Sequence, residues 1–161
     1  MYFVLEYADI GTIYDLVQIC GALNENLARF YFSKLIDAVG FLHNLEIAHR
    51  DIKPLNILLK SDAHMLKLAD FGHAVNPENR LSIGVMGTHD YRAPEVLNVS
   101  GYNPMAADVF SCGVTLFAMV FGFELFFKKK KENGDPYPPM DCYWYKMIWK
   151  RKYDAFWENL G

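Results

Sequence analysis

An acid, an ammonium and a side-chain amide lie close together in His49-Arg50-Asp51-Ile52-Lys53-Pro54-Leu55-Asn56. Asp51 and Asn56 share one short loop, so a carboxylate and an amide oxygen can converge on a single polar site. Lys53 sits between them as a point cation suited to a phosphate. A lone Asp in a loop is usually a turn former or a cap; here the spacing changes the reading. Fourteen residues after Asn56 comes Asp70-Phe71-Gly72, just past an apolar run that reads as a strand. Magnesium prefers oxygen ligands and is typically held by one or two protein carboxylates plus substrate phosphates. Asp70 at a strand end can supply such a ligand, while Gly72 lets the backbone turn. An acceptor carboxylate, a cation and a second oxygen ligand are the parts that phosphoryl transfer to a hydroxyl requires.

Those side chains need a scaffold, and the sequence predicts mostly helices with a few short strands. Residues 2–6 read as a short buried strand, followed by a turn at Ala8-Asp9-Ile10-Gly11 and a brief helix over about 12–19. A longer helix is predicted over about 25–43, with Asn24 as its N-cap and Leu27, Tyr31, Leu35, Ala38 and Leu42 on one face. Short strands are predicted near Asn56–Leu59 and Met65–Ala69, joined by the turn Ser61-Asp62-Ala63. Phe71 to Tyr91 is polar and glycine-containing and reads as a long functional loop. A third helix opens at Asn103-Pro104, an N-cap followed by proline at the first helical position, and runs to about Gly122. Its stretch from Val109 to Phe123 carries no charge over fifteen residues. A spanning helix needs about 20 apolar residues, so a core helix is expected rather than a membrane span. Lys128–Pro139 reads as a solvated, charged connection, and an aromatic-rich helix is expected near Asp141.

Composition narrows the function classes. The 161 residues are 52% hydrophobic with a formal charge of −3, which excludes a disordered tail and argues against a dedicated nucleic-acid binder. Cys20, Cys112 and Cys142 are scattered and odd in number, so neither a disulfide framework nor a zinc pattern is expected. The opening Met1-Tyr2-Phe3-Val4-Leu5 meets Glu6 at once and does not read as a secretory leader. An intracellular protein, cytoplasmic or nuclear, is the expectation.

Two further motifs complete the pattern: Gly87-Thr88-His89-Asp90-Tyr91-Arg92-Ala93-Pro94-Glu95, and Asp108 opening the apolar helix. In their order and spacing these four motifs resemble the catalytic core of a eukaryotic serine/threonine protein kinase, over nearly all of residues 1–161. The resemblance implies an α+β fold: the larger, mainly helical lobe with short strands, the small N-terminal lobe being largely missing. It implies ATP and magnesium as cofactors and a protein substrate with a serine or threonine acceptor, with neither nucleic acid nor membrane as partner. Asp51 would be the catalytic base, Lys53 would contact the γ-phosphate, and Asn56 and Asp70 would hold magnesium. Thr88 would bridge Asp51 and Lys53, and Lys53-Pro54 points to serine/threonine rather than tyrosine acceptors. Leu5, Glu6, Ala8, Thr12 and Leu58 match positions around the adenine and ribose.

The resemblance also implies supporting roles. Phe71 would pack on His49, and Asp108 would anchor the backbone of the His49-Arg50 loop. Arg50 matches a residue that commonly binds a phosphorylated loop, and Ser82 is the nearest upstream hydroxyl before Thr88. Leu55 and Ala118 stand where acidic residues often read basic substrates, so arginine-directed specificity is not expected. No glycine-rich phosphate loop or strand lysine precedes Met1, and the arginine that the family pairs with Glu95 would lie after Gly161. The expectation is therefore part of a longer product, with the 161-residue chain alone a poor catalyst. The alternative reading is a pseudokinase or truncated scaffold that uses the fold for binding.

Overall fold

The computed structural model describes every residue except 1, 3, 63–64, 78–80, 98–99, 123–124, 127–142 and 159–161. The side chains of Trp144 and Trp149 are also outside the description. Cys142, the Lys128–Pro139 connection and the Asp141 helix start therefore lie outside the described residues, as does Ala63 of the predicted turn.

Strand β1 (Gly11–Thr12) leads directly into helix α1 (Ile13–Cys20). Thr12 caps that helix: its hydroxyl accepts from Asp15 N, and the Asp15 carboxylate accepts from Thr12 N. The reciprocal pair satisfies amides that the first turn leaves free. Helix α2 (Glu25–Asn44) starts at Asn24, whose side chain accepts from Leu27 N at 3.0 Å. Strands β2 (Ile57–Leu59) and β3 (Leu66–Leu68) pair antiparallel, and β1 adds to the other edge of β2 to make a three-stranded sheet. Helix α3 (Pro104–Phe121) runs from the Asn103 cap to Gly122, whose φ of 76° closes the last turn. Short helices α4 (Tyr143–Trp149) and α5 (Tyr153–Glu158) complete the order.

One core joins α1, α2, the sheet and α3 through Ile13, Leu35, Ile52, Ile57, Leu59 and Met119. A second gathers Val114 and Phe117 of α3 with Tyr91, Phe126, Tyr145 and Phe156. Helix α3 serves both because it is apolar around most of its circumference, as a helix enclosed by neighbours must be. It is also long and apolar enough to cross a membrane by length and composition, with half of that window buried against the rest of the chain.

Two sequence expectations need correction. The described part of residues 2–6 is not a buried strand: Tyr2 and Val4 are each 98% exposed, and neither is in a ladder. A strand needs a partner for its amides and carbonyls. Among the described residues pairing begins only at Ile10, whose amide donates to Leu59 O. The buried stripe of α2 is also rotated by about one residue. Ala28, Leu35 and Val39 are innermost, while Leu27, Tyr31, Ala38 and Leu42 are only partly buried. Helix α2 packs against both α3 and β3, so its contact face is set by two neighbours rather than one.

Candidate active site

The loop between α2 and β2 carries the polar centre, and Asp108 on α3 holds it in place. Asp108 is 1% exposed; its Oδ1 accepts from Arg50 N at 2.7 Å and its Oδ2 from His49 N at 2.8 Å. His43 Nε2, at the end of α2, lies 3.0 Å from the same Oδ2. A carboxylate has only acceptors, so His43 must donate there. These contacts account for a charge buried at the start of an apolar helix, where an unpaired carboxylate would be costly.

Arg50 has φ 64°, a left-handed conformation uncommon outside glycine, and Asp70 has φ 61°. Such residues persist only where surrounding bonds over-determine them. For Arg50 those bonds are the Asp108 contact through its amide and two through its side chain, Nε to His73 O at 2.5 Å and a terminal nitrogen to Ser82 Oγ at 2.8 Å.

With the loop fixed, Asp51 points into a dense hydrogen-bond cluster. Its Oδ1 accepts from Thr88 N at 2.7 Å and Thr88 Oγ1 at 2.6 Å. Its Oδ2 accepts from Lys53 Nζ at 2.8 Å and Asn56 Nδ2 at 3.0 Å. Lys53 Nζ also donates to Thr88 Oγ1 at 2.6 Å, so the hydroxyl bridges acid and ammonium. Burial pushes the Asp51 carboxyl up, but the Lys53 and Thr88 hydrogen bonds outweigh it and hold the group below the ordinary carboxylate range. The Asp51 carboxyl is therefore ionised at neutral pH.

Asp70 is joined to this centre through the backbone beside it. Ala69 N donates to Asn56 O at 2.9 Å, and Ala69 O lies 3.0 Å from His49 Nε2. His49 Nδ1 takes the Asp51 amide at 3.3 Å, so Nε2 carries the proton and donates to Ala69 O. Phe71 stacks at a tilt on the His49 ring, with centroids 4.9 Å apart. The Asp70 side chain is exposed and accepts from Gly72 N at 3.3 Å.

The oxygen donors fit magnesium. Asn56 spends its Nδ2 on Asp51 O and Oδ2, so Oδ1 is the oxygen it would offer a cation. Among the described residues no group of three or more His, Cys, Asp or Glu converges. One carboxylate and one amide oxygen, with phosphates completing the shell, suit magnesium better than an all-protein cage.

The positions matched to a nucleotide are only partly brought together. Thr12 and Leu58 are register partners in the β1–β2 pair. The Thr12 hydroxyl, however, is engaged by Asp15, to which it donates at 2.7 Å, so a sugar contact there would have to displace a cap. Leu5 is 83% exposed and Ala8 is half-buried. Glu6 ties this segment to the sheet, its carboxylate lying 2.8 Å from both Lys60 and Lys67. Hydrogen bonds from Lys60 and then Lys67 lower the Glu6 carboxyl to about 2. Asp9 adds two bonds to Ser61, one from its amide at 3.0 Å and one from its hydroxyl. Among the described residues no ion pair reaches Glu95. Cys20 is exposed and Cys112 buried, both as free thiols.

Sequence reading missed two residues that hold the centre. His43 had no signal beyond a histidine in the last turn of a helix. Arg92 sat inside the Tyr91–Glu95 motif without drawing attention, yet it donates to Met86 O at 3.0 Å and to Gly87 O.

This geometry agrees with comparisons to known proteins. The chain matches the protein kinase domain over residues 1–155. It is similar to CBL-interacting protein kinase 29 of Oryza sativa subsp. japonica, with 45% identity over 123 residues, covering 76% of this chain and 28% of that protein. It is likewise similar to CBL-interacting serine/threonine-protein kinase 8 of Arabidopsis thaliana, with 43% identity over 125 residues and the same 76% and 28% shares. The chain thus spans 28% of the length of these curated relatives. On the match along almost its whole length, this chain belongs to the protein kinase family.

Proposed function

We propose that the protein carrying this chain transfers the γ-phosphoryl group of ATP to serine or threonine hydroxyls of protein substrates, with Asp51 as the base. The observation that carries this reading is the single cluster in which Asp51, Lys53, Asn56 and Thr88 meet. In the transfer, the acceptor oxygen forms a bond to phosphorus while the bond to the leaving ADP oxygen breaks, and Asp51 takes the hydroxyl proton. Phosphoryl transfer asks little covalent chemistry of the protein, so positioning and charge do most of the work.

The cluster carries a specific requirement. A carboxylate offers about four lone-pair sites. Thr88 fills two on Oδ1, and Lys53 and Asn56 fill two on Oδ2. An incoming hydroxyl therefore needs one donor to leave. Lys53 suits that role: a compact ammonium on a flexible stem turns from Asp51 toward a phosphate with little rearrangement. Asn56 and Asp70 would hold magnesium, which when bound offsets the charge of the phosphates.

Thr88 and Lys53 beside the base support a serine/threonine acceptor. The test is phosphate transfer from ATP and magnesium, by the full-length protein carrying this chain, to peptides that differ only in a serine, threonine or tyrosine acceptor. Serine and threonine peptides should be labelled, and Asp51→Asn should slow transfer by roughly a hundredfold or more. Nucleotide binding without any transfer would overturn the reading in favour of a binding scaffold, and an Asp51→Asn variant as fast as the unmodified protein would remove Asp51 from the role.

A further inference from the structure

We propose that Arg92 is a positioning residue that clamps the Gly87–Thr88 peptide and so sets how Thr88 meets Asp51. Gly87 O and Thr88 N belong to one peptide unit. Its carbonyl end accepts from the Arg92 guanidinium, and its amide end donates to Asp51 Oδ1 at 2.7 Å. The same guanidinium takes the preceding carbonyl, Met86 O, at 3.0 Å through Nε. A planar fork can hold two successive carbonyls in fixed geometry, which a lysine ammonium cannot.

The peptide is blocked on a third side. Gly87 has φ 84°, and a Cβ placed there would lie 2.3 Å from Arg50 O, so the turn is seated directly on the loop that carries Asp51. It cannot rotate without breaking the Arg92 contact at one end and the Asp51 contact at the other. Hydrogen bonds in series also polarise one another: a donor on the carbonyl makes the amide of the same peptide a better donor.

Arg92 is set up for this work at some cost. It is half-buried, burial pushes its pKa down, and among the described residues no carboxylate lies within ion-pair distance. Its own carbonyl accepts from the hydroxyl of Tyr145 at 3.1 Å, a fully buried residue of α4. A chain of contacts therefore runs from α4 through Arg92 and one peptide unit to the carboxylate of Asp51.

The catalytic consequence rests on the function proposed above, whereas the clamp itself is testable without catalysis. Amide hydrogen exchange is followed by NMR on the full-length protein carrying this chain, in its unmodified, Arg92→Gln and Arg92→Lys forms, with the Thr88 amide as the readout and the His49 and Arg50 amides held by Asp108 as references. In Arg92→Gln the Thr88 amide should exchange severalfold faster, because the peptide is no longer held at its carbonyl end, while the His49 and Arg50 amides keep their protection; Arg92→Lys should show a smaller acceleration. Unchanged protection of the Thr88 amide in a folded Arg92→Gln protein overturns the proposal.

Should Arg92→Gln not fold, hydrogen exchange in the unmodified chain decides. The Arg92 Nε–H and the Thr88 amide should be protected together. An Arg92 Nε–H that exchanges freely beside a protected Thr88 amide also overturns the clamp. Failure of the proposed function reads differently, as undiminished transfer by Asp51→Asn, and it leaves the exchange result standing.

Discussion

The amide and the hydroxyl of Thr88 both donate to one oxygen of Asp51, 37 residues earlier in the chain, at 2.7 and 2.6 Å. The hydroxyl also accepts from Lys53 Nζ, so it separates the acid from the ammonium while bonded to both. Thr88→Ala removes the hydroxyl but leaves the amide bond. A hydrogen bond to a charged group contributes about 1.5–3 kcal/mol, so transfer efficiency should fall roughly tenfold to a hundredfold. Thr88→Ser should stay close to the unmodified protein. Steady-state kcat/KM for the three proteins, compared with their urea midpoints, separates lost chemistry from lost folding.

Asp108 holds the loop that carries Asp51. Asp108→Ala strands the amides of His49 and Arg50 together with the donor of His43. A buried group left unsatisfied costs about 1–3 kcal/mol; the His49 amide is buried and the Arg50 and His43 donors are part-buried, so the variant should lose at least about 1–3 kcal/mol of stability. Urea denaturation measures it. A loss below 1 kcal/mol would show that the loop keeps its conformation without this carboxylate.

The depressed Asp51 pKa sets the sign of an acid limb. Because the folded value lies below the unfolded one, the Asp51 contribution to stability is complete above the unfolded pKa of about 3.9. It is lost as pH falls from there through the folded value. Lys53→Met removes a donor that lowers the pKa, so the Asp51 titration should move up and this part of the acid limb should shrink. Urea midpoints between pH 6 and 3 for the unmodified chain and Lys53→Met report the difference.

Gly87→Ala is expected to damage the site more than a typical surface substitution. The added Cβ meets Arg50 O at 2.3 Å, and alanine at φ 84° costs about 1–2 kcal/mol before any clash is counted. The variant should be less stable by more than that figure and should transfer phosphate slowly. Gly84→Ala is the control: its φ is 94°, but nothing lies within 4 Å of its added Cβ. It should lose the backbone term only.

Ser82, the nearest hydroxyl upstream of Thr88, has a contact that bears on whether a phosphate there would order the loop through Arg50. Its hydroxyl accepts from Arg50 at 2.8 Å, and the residue is 7% exposed while paired through its backbone with Tyr102. Phosphate on Ser82 would face the same guanidinium and form stronger, charge-assisted bonds. The segment must open first for an enzyme to reach it. Ser82→Ala should cost about 1 kcal/mol of stability through the lost hydrogen bond. Activity that survives Ser82→Ala unchanged in the full-length protein disposes of a phosphorylation role.

Much of this molecule was legible in its residue order, where the signals are local. The cap at Asn24, the Asn103-Pro104 helix start and the antiparallel strands around residues 57–59 and 66–68 follow from side-chain hydrogen bonding, proline geometry and short apolar runs. The acid, the ammonium, the amide and the second acid were singled out by type and spacing, and the structure gathers the first three with Thr88 in one cluster. Residues 2–6 misled because an apolar run reports burial only when a partner covers it, and no described segment pairs with it.

Residue type thus determined which groups were present and what each could donate or accept. Their partners were decided only by tertiary packing. Nothing in the order of residues says that Asp51 is saturated by four donors, that His43 shares Asp108 with two backbone amides, or that Arg92 grips the far end of the peptide that Asp51 holds. Helix and strand periodicity is a local property of a few neighbouring residues. A hydrogen bond between residues 51 and 88 exists only once α3 has brought its carboxylate under the loop and the Gly87 turn has closed over it.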